Sequence, residues 1–404
     1  MSSLLLINPN FERKINGQTP LNLAYLAAAI EAFVPVRIFD LNVRSFVELE
    51  KILSEFCPTH VGITSYTPNN ISAKATLKQI HDQYPQVITI SGGPHESYRG
   101  HITRKMYPWI DHVVTDRKGE NALVEIMTGK NMRVDWRTIF PAYHLLDMNE
   151  PSYRFDQHLF EGKSMVQYMS SRGCNMRCLF CGTEDYIPLK VPVVVEHLKK
   201  IADLGYEAFF FNDVNFISSA RRTAELSRQI VANGLNFLEW GCQTALVKEV
   251  TDEVLELMVV AGCSYITFSL ENLSPDALRK IGKRIDPEYV TAKALFAKEI
   301  GMKIGVYVMF GVHNNEEEDW YWAKKTLDRI GEIKPDYVSY SILADYPSSN
   351  PNLPYETEEF GTEPVWQFFD EGRAYHPYTT VGYAEKLKTE IEKRHRFWPG
   401  IRKF

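Results

Sequence analysis

The sequence predicts an α/β protein in which a doubly wound, Rossmann-like domain precedes a partial (β/α)6 barrel and a small C-terminal region. Short apolar runs alternate with amphipathic stretches over residues 1–130, and the same rhythm resumes over 164–345. In both series the strands end in polar or glycine-rich tips. A chain of 404 residues has room for two such domains. Its 45% apolar and 24% charged content is that of a globular protein with an ample core. A net charge of −6 argues against nucleic acid or an anionic membrane held by bulk electrostatics. Leu4–Ile7 is far too short for a targeting segment, and the apolar window 21–38 is interrupted by Asn22, Glu31 and Arg37. A cytoplasmic protein with no membrane span is expected.

Leu4-Leu5-Leu6-Ile7, closed by Asn8-Pro9, suits a buried parallel strand. Thr19 is placed to cap a helix with Pro20 at its first position and Leu23, Leu26, Ala27 and Ile30 on one face. Val36, Ile38 and Phe39 make a second strand ending at Asp40; Val61–Thr64, Val87–Ile90 and Val113–Val114 make the next three. Amphipathic segments fall around 46–56, 71–84 and 119–128. Such alternation implies a parallel sheet covered on both faces, with ligands at the strand C-termini. Those ends carry Asn8-Pro9-Asn10, Ser65-Tyr66-Thr67-Pro68, Ser91-Gly92-Gly93-Pro94-His95, then Asp116 and Gly119-Glu120. Singly, each suits a tight turn. On one rim together they favour a ligand site, because small residues let a ligand reach the backbone.

Residues 131–163 break the rhythm with Asp135-Trp136, Phe140-Pro141 and Pro151-Ser152, and read as a linker. Strands follow at Met165–Tyr168, Ala208–Phe211, Phe237–Gly241, Tyr265–Phe268, Lys303–Val308 and Tyr337–Tyr340. Helices fall near 192–204, 217–232, 252–260, 286–299 and 316–331. Successive βα units point to a partial parallel barrel with its functional face at the strand C-termini. Glu316-Glu317-Glu318-Asp319 fits the first turn of a helix, where it complements the macrodipole. Residues 346–404 form a less regular C-terminal region. Trp320, Tyr321, Tyr340, Tyr346, Trp366, Phe368 and Phe369 could wall a pocket, although core packing is the commoner use of aromatics.

The 6 cysteines are too few and too uneven for a disulfide scaffold. Cys57, Cys242 and Cys263 stand alone, whereas Cys174, Cys178 and Cys181 share one loop after the first barrel strand. Thiolates this close suit soft iron. Structural zinc or iron–sulfur sites take four protein ligands, so three imply an open coordination position. A zinc knuckle, a redox loop, or a fourth ligand from Cys242 or Cys263 is the alternative.

Cys174-xxx-Cys178-xx-Cys181, with Phe180 before the last cysteine, resembles the signature of the radical S-adenosylmethionine (SAM) superfamily. The resemblance implies a [4Fe–4S] cluster on Cys174, Cys178 and Cys181, with its open iron taking the amino and carboxylate groups of SAM. One electron, from a reductase such as flavodoxin or ferredoxin, then cleaves SAM to methionine and a 5′-deoxyadenosyl radical. The segment 210–216 looks like the family's F-x-D-D-x-F, which implies Asn212 and Asp213 at the SAM amino group, with Asn212 where the pattern has Asp. Ser269-Leu270-Glu271-Asn272 is similar to G-x-E-S and carries Glu271 over to the ribose or methionine part. Phe310-Gly311 resembles the F-G-L-P turn beside adenine, with His313 in place of the proline. Gln243 is placed to face SAM or substrate.

A Rossmann-like domain ahead of such a barrel looks like the cobalamin-binding subclass, here over residues 3–345 in all. Thr19-Pro20-Leu21-Asn22-Leu23-Ala24-Tyr25-Leu26-Ala27, Ser91–His95 and Lys118–Ala122 are similar to its P-x-G-L-x-Y-L-A, G-G-P-H and G-E-x-E/A stretches, Asn22 standing for a frequent glycine. The resemblance implies cobalamin contacts from Asn8, Thr19, Leu21, Asp40, Ser65, Tyr66, Thr67, Pro68, Gly92, Gly93, Pro94, His95, Gly119 and Glu120. A D-x-H-x-x-G motif is absent; Asp156-Gln157-His158 comes near but continues one residue too long. No protein histidine is therefore expected on cobalt, and Tyr66, Thr67 and Pro68 are candidates to cover its lower face. The implied reaction is methylation of an unactivated carbon in a small biosynthetic substrate. One SAM methylates the corrin, a second yields the radical, and the substrate radical collects methyl from methylcobalamin. The rival on the same fold is a radical cyclisation, ring contraction or oxidation. A methylthiotransferase would carry further cluster cysteines where this domain has Cys57 alone, and a non-enzymatic scaffold leaves the polar barrel rim unexplained.

Overall fold

The computed structural model describes residues 2–10, 19–148, 150, 153, 160, 162–245, 248–343 and 381–395, without the side chains of 68, 381, 382, 384 and 395. The expectations for Asp156-Gln157-His158, for the Pro68 side chain and for Tyr346, Trp366, Phe368 and Phe369 lie outside these residues, as does most of 346–404. The chain divides between Phe155 and Asp156 into two compact units, and the helix Val381–His395 belongs to the second. No helix among the described residues is long and apolar enough to cross a membrane.

The first unit runs β1 (Leu4–Asn8), α1 (Leu21–Ile30), β2 (Val36–Asp40), α2 (Phe46–Phe56) and β3 (His60–Thr64). It continues with α3 (Asn70–Gln83), β4 (Ile88–Gly92), α4 (Pro94–Met106), β5 (His112–Val113) and α5 (Gly119–Thr128). The strands are parallel in the order β2-β1-β3-β4-β5. Their strict alternation splits the core in two. Leu5, Ile7, Val61 and Ile63 pack with Leu49, Leu53, Leu77 and Ile80 on one face. Leu4, Leu6 and Ile90 meet Leu23, Ala27, Ile30 and Val124 on the other. The order reverses between β1 and β3, which makes the strand C-termini there the place for a ligand.

Three expectations need correction here. α1 starts at Leu21, not Pro20, and no side chain caps it. The Pro20 carbonyl accepts from Leu23 N (3.0 Å) and Ala24 N (3.2 Å), which makes Pro20 the cap and leaves Thr19 outside the helix. β4 begins at Ile88 because Val87 N is engaged in a turn with Tyr84 O at 2.9 Å. α4 was not expected at all. Its buried face is His95, Glu96, Arg99, Gly100 and Thr103, so it carries no apolar period to read. Pro94 and His95 therefore lie in a first helical turn and not in a loop.

In place of apolar contacts, α4 inserts a charge. Glu96 forms an ion pair with Lys74 of α3, both buried, and accepts from Ser91 Oγ at 2.8 Å. Lys74 Nζ also donates to Ser91 Oγ at 2.9 Å. Burial works to raise the Glu96 carboxyl, but the Lys74 ammonium, by charge and by hydrogen bond, more than offsets it and holds it below its ordinary value.

The second unit opens with β6 (Met165–Tyr168), β7 (Ser171–Arg172), β8 (Ile187–Pro188), α6 (Val191–Asp203), β9 (Ala208–Phe211) and α7 (Ala220–Ala232). It goes on through β10 (Glu239–Thr244), α8 (Asp252–Val260), β11 (Cys263–Glu271), α9 (Pro275–Lys280) and α10 (Pro287–Glu299). It closes with β12 (Lys303–Phe310), α11 (Glu316–Ile333), β13 (Tyr337–Ile342) and α12 (Val381–His395). Six strands pair in parallel as β13-β12-β11-β10-β9-β6, an open partial barrel. β10 sits later than expected, because exposed Phe237 imitates a strand residue without joining the sheet. α9 and the small β7–β8 pair were not expected; both are too short to show a period. The Glu316 turn is as expected, with Asn315 Oδ1 accepting from Glu318 N at 2.9 Å.

The barrel has unlike ends. From the strand N-termini up to the level of Phe210, Phe160, Ala208, Phe210 and Tyr265 form an apolar cluster with Met165 against it. From that level towards the C-termini Asn212 bonds Gln167, its neighbour across the sheet from Phe210, and Tyr307 bonds Gln243. Polarity thus identifies the functional end independently of the cysteines.

Removing one member of a buried ion pair leaves the other unpaired, at a cost of about 3–5 kcal/mol. Lys74→Met is expected to destabilise the first unit by roughly that amount in urea unfolding, and adding Glu96→Leu to recover most of it.

Candidate functional site

The cysteine loop is rooted by Asp213, just beyond β9. Asp213 Oδ1 accepts from Ser170 N at 2.6 Å, while Oδ2 accepts from Ser170 Oγ at 2.7 Å and Ser171 Oγ at 2.6 Å. The side chain is wholly buried. Burial raises its carboxyl, and Ser171, Ser170 and Arg222 only partly oppose the rise. Arg222 Nη2 donates to Ser170 O at 3.1 Å, which closes the same knot from α7. Next comes Gly173 at φ +74°, where an added Cβ would lie 2.1 Å from Asp185 O. Cys174 N donates to Glu184 O at 2.9 Å, and Leu179 N to Ile281 O at 2.9 Å. The loop is therefore held at its root, its return and its tip.

Cys174 and Cys178 are half-buried and Cys181 is exposed; none is in a disulfide. Burial pushes the Cys174 thiol up and that of Cys178 to about 11, and the Lys283 ammonium works against both rises. Among the described residues, no three His, Cys, Asp or Glu side chains converge as ligands of a single metal ion would. A [4Fe–4S] cluster asks for something different, since each thiolate meets its own iron. Three free thiols on one anchored loop, beside a lysine, fit that demand better than they fit tetrahedral zinc.

Glu271 lies opposite this loop. A register shift in β11 between Ser269 and Glu271 puts it at φ +58°, uncommon for a non-glycine residue. Its carboxylate forms a buried ion pair with Lys283. Sequence reasoning missed Lys283, because a lysine within Arg279-Lys280-Ile281-Gly282-Lys283-Arg284 reads as surface. Phe180 is half-buried against Ala277, Leu278 and Ile281.

Gln243 is clamped: its Nε2 donates to Asp213 O at 3.2 Å and its Oε1 accepts from Tyr307 OH at 2.8 Å, across β11. Asn212 Nδ2 reaches Gln167 Oε1 at 3.4 Å. Asn212 is thus tied back to β6, and Gln243 ties the segment after β9 to β12. Two of the residues expected at SAM make internal contacts. Both Asp213 oxygens accept from the serines, so the carboxylate anchors the loop. Phe310 is fully buried and stacks on Tyr340, with centroids 6.3 Å apart. Its ring and that of Tyr340 pack together, and the turn that follows begins at Gly311.

On the first unit, Asn8 and Asp40 are brought together. Asp40 Oδ1 accepts from Asn8 Nδ2 at 3.0 Å and Asn42 N at 2.8 Å, and Oδ2 accepts from Tyr153 OH at 2.9 Å. Thr19, Leu21 and Glu120 are buried around the helix N-termini, and an added Cβ on Gly119 would lie 3.3 Å from Leu26. Gly93 stands at φ +104°, where a Cβ would come within 2.8 Å of Ser65 N and O. Gly92 O accepts from Ser65 N at 2.7 Å, and Ser65 O from His95 N at 2.9 Å, so the β3 and β4 tips are laced together. Tyr66 N donates to Asn69 Oδ1 at 2.8 Å. Asn69 Nδ2 is buried with no partner, a spare donor among Tyr66, Thr67 and Ser65 that no sequence signal marked. The His95 ring is buried and lies 3.3 Å from Thr67 Oγ1. Burial, helped by Lys74 and Arg99 and opposed by Glu96, depresses it to about 3. A rim of close-packed glycines, an orphaned amide and a neutral, enclosed histidine fits a corrin held without a histidine ligand.

Two family models match the chain. Residues 168–327 match the radical SAM superfamily, which defines the class of protein that this barrel and its cysteine loop belong to. Residues 16–127 match the B12 binding domain, so the chain carries a B12-binding domain with a radical SAM domain after it. The cofactors of these domains are a [4Fe–4S] cluster, SAM and cobalamin. The chain is 26% identical over 380 residues to an uncharacterized methyltransferase of Pyrococcus horikoshii, covering 86% of this chain and 81% of that one. It is 23% identical over 388 residues to the anaerobic magnesium-protoporphyrin IX monomethyl ester cyclase of Rubrivivax gelatinosus, covering 86% and 69%. In fold it is similar to the radical SAM methyltransferase TsrM of Kitasatospora setae, solved with cobalamin and a [4Fe–4S] cluster bound. That match has a TM-score of 0.67 and 20% identity, over 85% of this chain and 75% of the other.

Gly173→Ala is expected to leave the unit folded with a lowered melting temperature and to reduce iron per chain after anaerobic reconstitution, measured well below that temperature. His95 titrates near 6.5 when unfolded and about 3 when folded. Below pH 6.5 the unfolded state binds the extra proton, so stability present above that pH is lost as pH falls towards 3, by on the order of 1.4 kcal/mol per unit. His95→Gln is expected to flatten that limb in urea midpoints compared at pH 7 and pH 4.5; an unchanged slope would show the ring to be solvated.

Proposed function

We propose that this protein is a cobalamin-dependent radical SAM methyltransferase acting on an unactivated carbon of a small biosynthetic molecule. The observation that carries the reading is a three-thiol loop rooted at the polar end of the barrel, in a chain whose B12-binding domain encloses its rim histidine. With its cofactors bound, such a protein draws a methyl group through the corrin from one SAM and a 5′-deoxyadenosyl radical from a second.

In this reading Cys174, Cys178 and Cys181 hold the cluster, and Asp213 keeps their loop in place. Phe180, Asn212, Gln243, Glu271 and Gly311 receive SAM, with Lys283 supplying the counter-charge to Glu271. Asn8, Thr19, Leu21, Asp40, Ser65, Gly92, Gly93, Pro94, Gly119 and Glu120 frame the corrin, while Tyr66, Thr67 and Pro68 cover its lower face. His95 stays neutral and uncoordinated, held beside Thr67. The electron comes from a small reductase of the flavodoxin or ferredoxin type. The methyltransferase relative supports methylation; the cyclase relative supports a second reading, a non-methylating radical reaction on the same site.

The test incubates anaerobically reconstituted protein with SAM, a one-electron reductant and candidate precursors. S-Adenosylhomocysteine and 5′-deoxyadenosine formed together with a methylated product are expected. 5′-Deoxyadenosine without adenosylhomocysteine would transfer the assignment to the cyclase-like reading. A fully loaded cluster that never cleaves SAM would sink both.

A further inference from the structure

The turn after β12 is organised by a carboxylate in α11 that the cluster does not use. Asp319 Oδ2 accepts from Gly311 N at 2.8 Å. Its Oδ1 accepts from Val312 N at 3.0 Å and His313 N at 3.1 Å, and lies 2.7 Å from His313 Nδ1. His313 Nε2 continues to Ser274 Oγ at 2.9 Å. Ser, His and Asp in a row suggest a nucleophile, but Ser274 is 1% exposed and its Oγ is already the helix cap for Ala277 N at 3.2 Å. The row is a brace. Here lies the reason His313 can stand where the family has proline. A ring fixed by two hydrogen bonds replaces a ring fixed by covalent closure.

One more donor reaches Asp319, from far along the chain. Tyr383 of α12, 64 residues away, gives its hydroxyl to Oδ2. Tyr383 is 1% exposed and meets Trp320 edge-on, with centroids 6.3 Å apart. Lys386 pairs with Glu316 at 3.0 Å, and Arg394 pairs with Asp328, so α12 is fastened along α11. Burial alone would raise the Asp319 carboxyl; His313, Tyr383 and the turn amides hold it near 2, where it stays charged.

We infer that α12 is a positioning element for SAM: Tyr383, acting through Asp319, fixes the Gly311–His313 amides and so holds the nucleoside side of the SAM site in shape. Gly311 at φ +73° can take many conformations, and this carboxylate selects one of them. The inference rests on the radical SAM reading for the ligand, but the coupling between helix and turn does not.

The experiment uses the full-length reconstituted protein with Tyr383→Phe, which keeps the ring and removes the hydroxyl. Hydrogen exchange at the Gly311, Val312 and His313 amides is measured without SAM, and SAM affinity by equilibrium dialysis. Losing a hydrogen bond to a charged acceptor is expected to speed exchange and weaken SAM binding, each by roughly tenfold, with iron and corrin content unchanged. Asp319→Asn is expected to do the same more strongly. Lys388→Ala, at an exposed position of the same helix that takes no part in the brace, is expected to change neither readout. Wild-type exchange in both the Tyr383 and Asp319 variants would overturn the coupling. Faster exchange with unaltered SAM affinity would overturn the positioning role. Wild-type protein with a full cluster and no SAM binding would instead overturn the functional reading, while the exchange arm still decides the coupling.

Discussion

A carboxylate with no access to water, Asp213, joins the ends of β6 and β9, and the rest of the cluster site hangs from that junction. It takes the amide of Ser170 and the hydroxyls of Ser170 and Ser171 at 2.6–2.7 Å, and Arg222 bonds the same serine from the helix layer. A buried charge without partners would be costly, and with these partners it is a rigid strut. Because β7 and the cysteine loop leave directly from Ser171, any slack at Asp213 would be passed to the thiols. Gln243 binds the backbone of the same residue, so the polar end of the barrel and the cluster loop share one fixed point.

The arrangement recurs. Asp40, the last residue of β2, and Asp319, in the first turn of α11, are also buried, and each collects backbone and hydroxyl donors from separate segments. Parallel strands end in loops that have no ladder of their own, and a carboxylate offers enough acceptor sites to organise several of them at once. Each unit adds a buried Lys–Glu pair, Lys74–Glu96 and Lys283–Glu271, where an apolar contact would have been simpler. Such pairs give little net stability, and each ties two segments together near a strand tip.

The strands and the cysteine loop were legible because both leave local marks: apolar runs bounded by turn residues, and thiols within a few positions of one another. Most of the helices were legible for the same reason. α4 was not, since its inward side chains are polar and look like surface. The employment of Asp213 was hidden as well. Its motif marks it as a ligand contact, and only the fold shows that Ser170 and Ser171, just after β6, bond both of its oxygens. Lys283 and Tyr383 left no signal, because the first sits in a basic run and the second meets its partner across a long stretch of chain. Asn69 matters only through an amide nitrogen left without a partner, a property that belongs to packing alone.

Phe160, Ala208, Phe210 and Tyr265 pack into one apolar cluster with Met165 against it, beside a rim of amides and hydroxyls. Interlocked side chains of this kind yield little, because any inward shift either opens a void or forces a neighbour off its rotamer. The polar groups next to them therefore rest on a floor that resists compression.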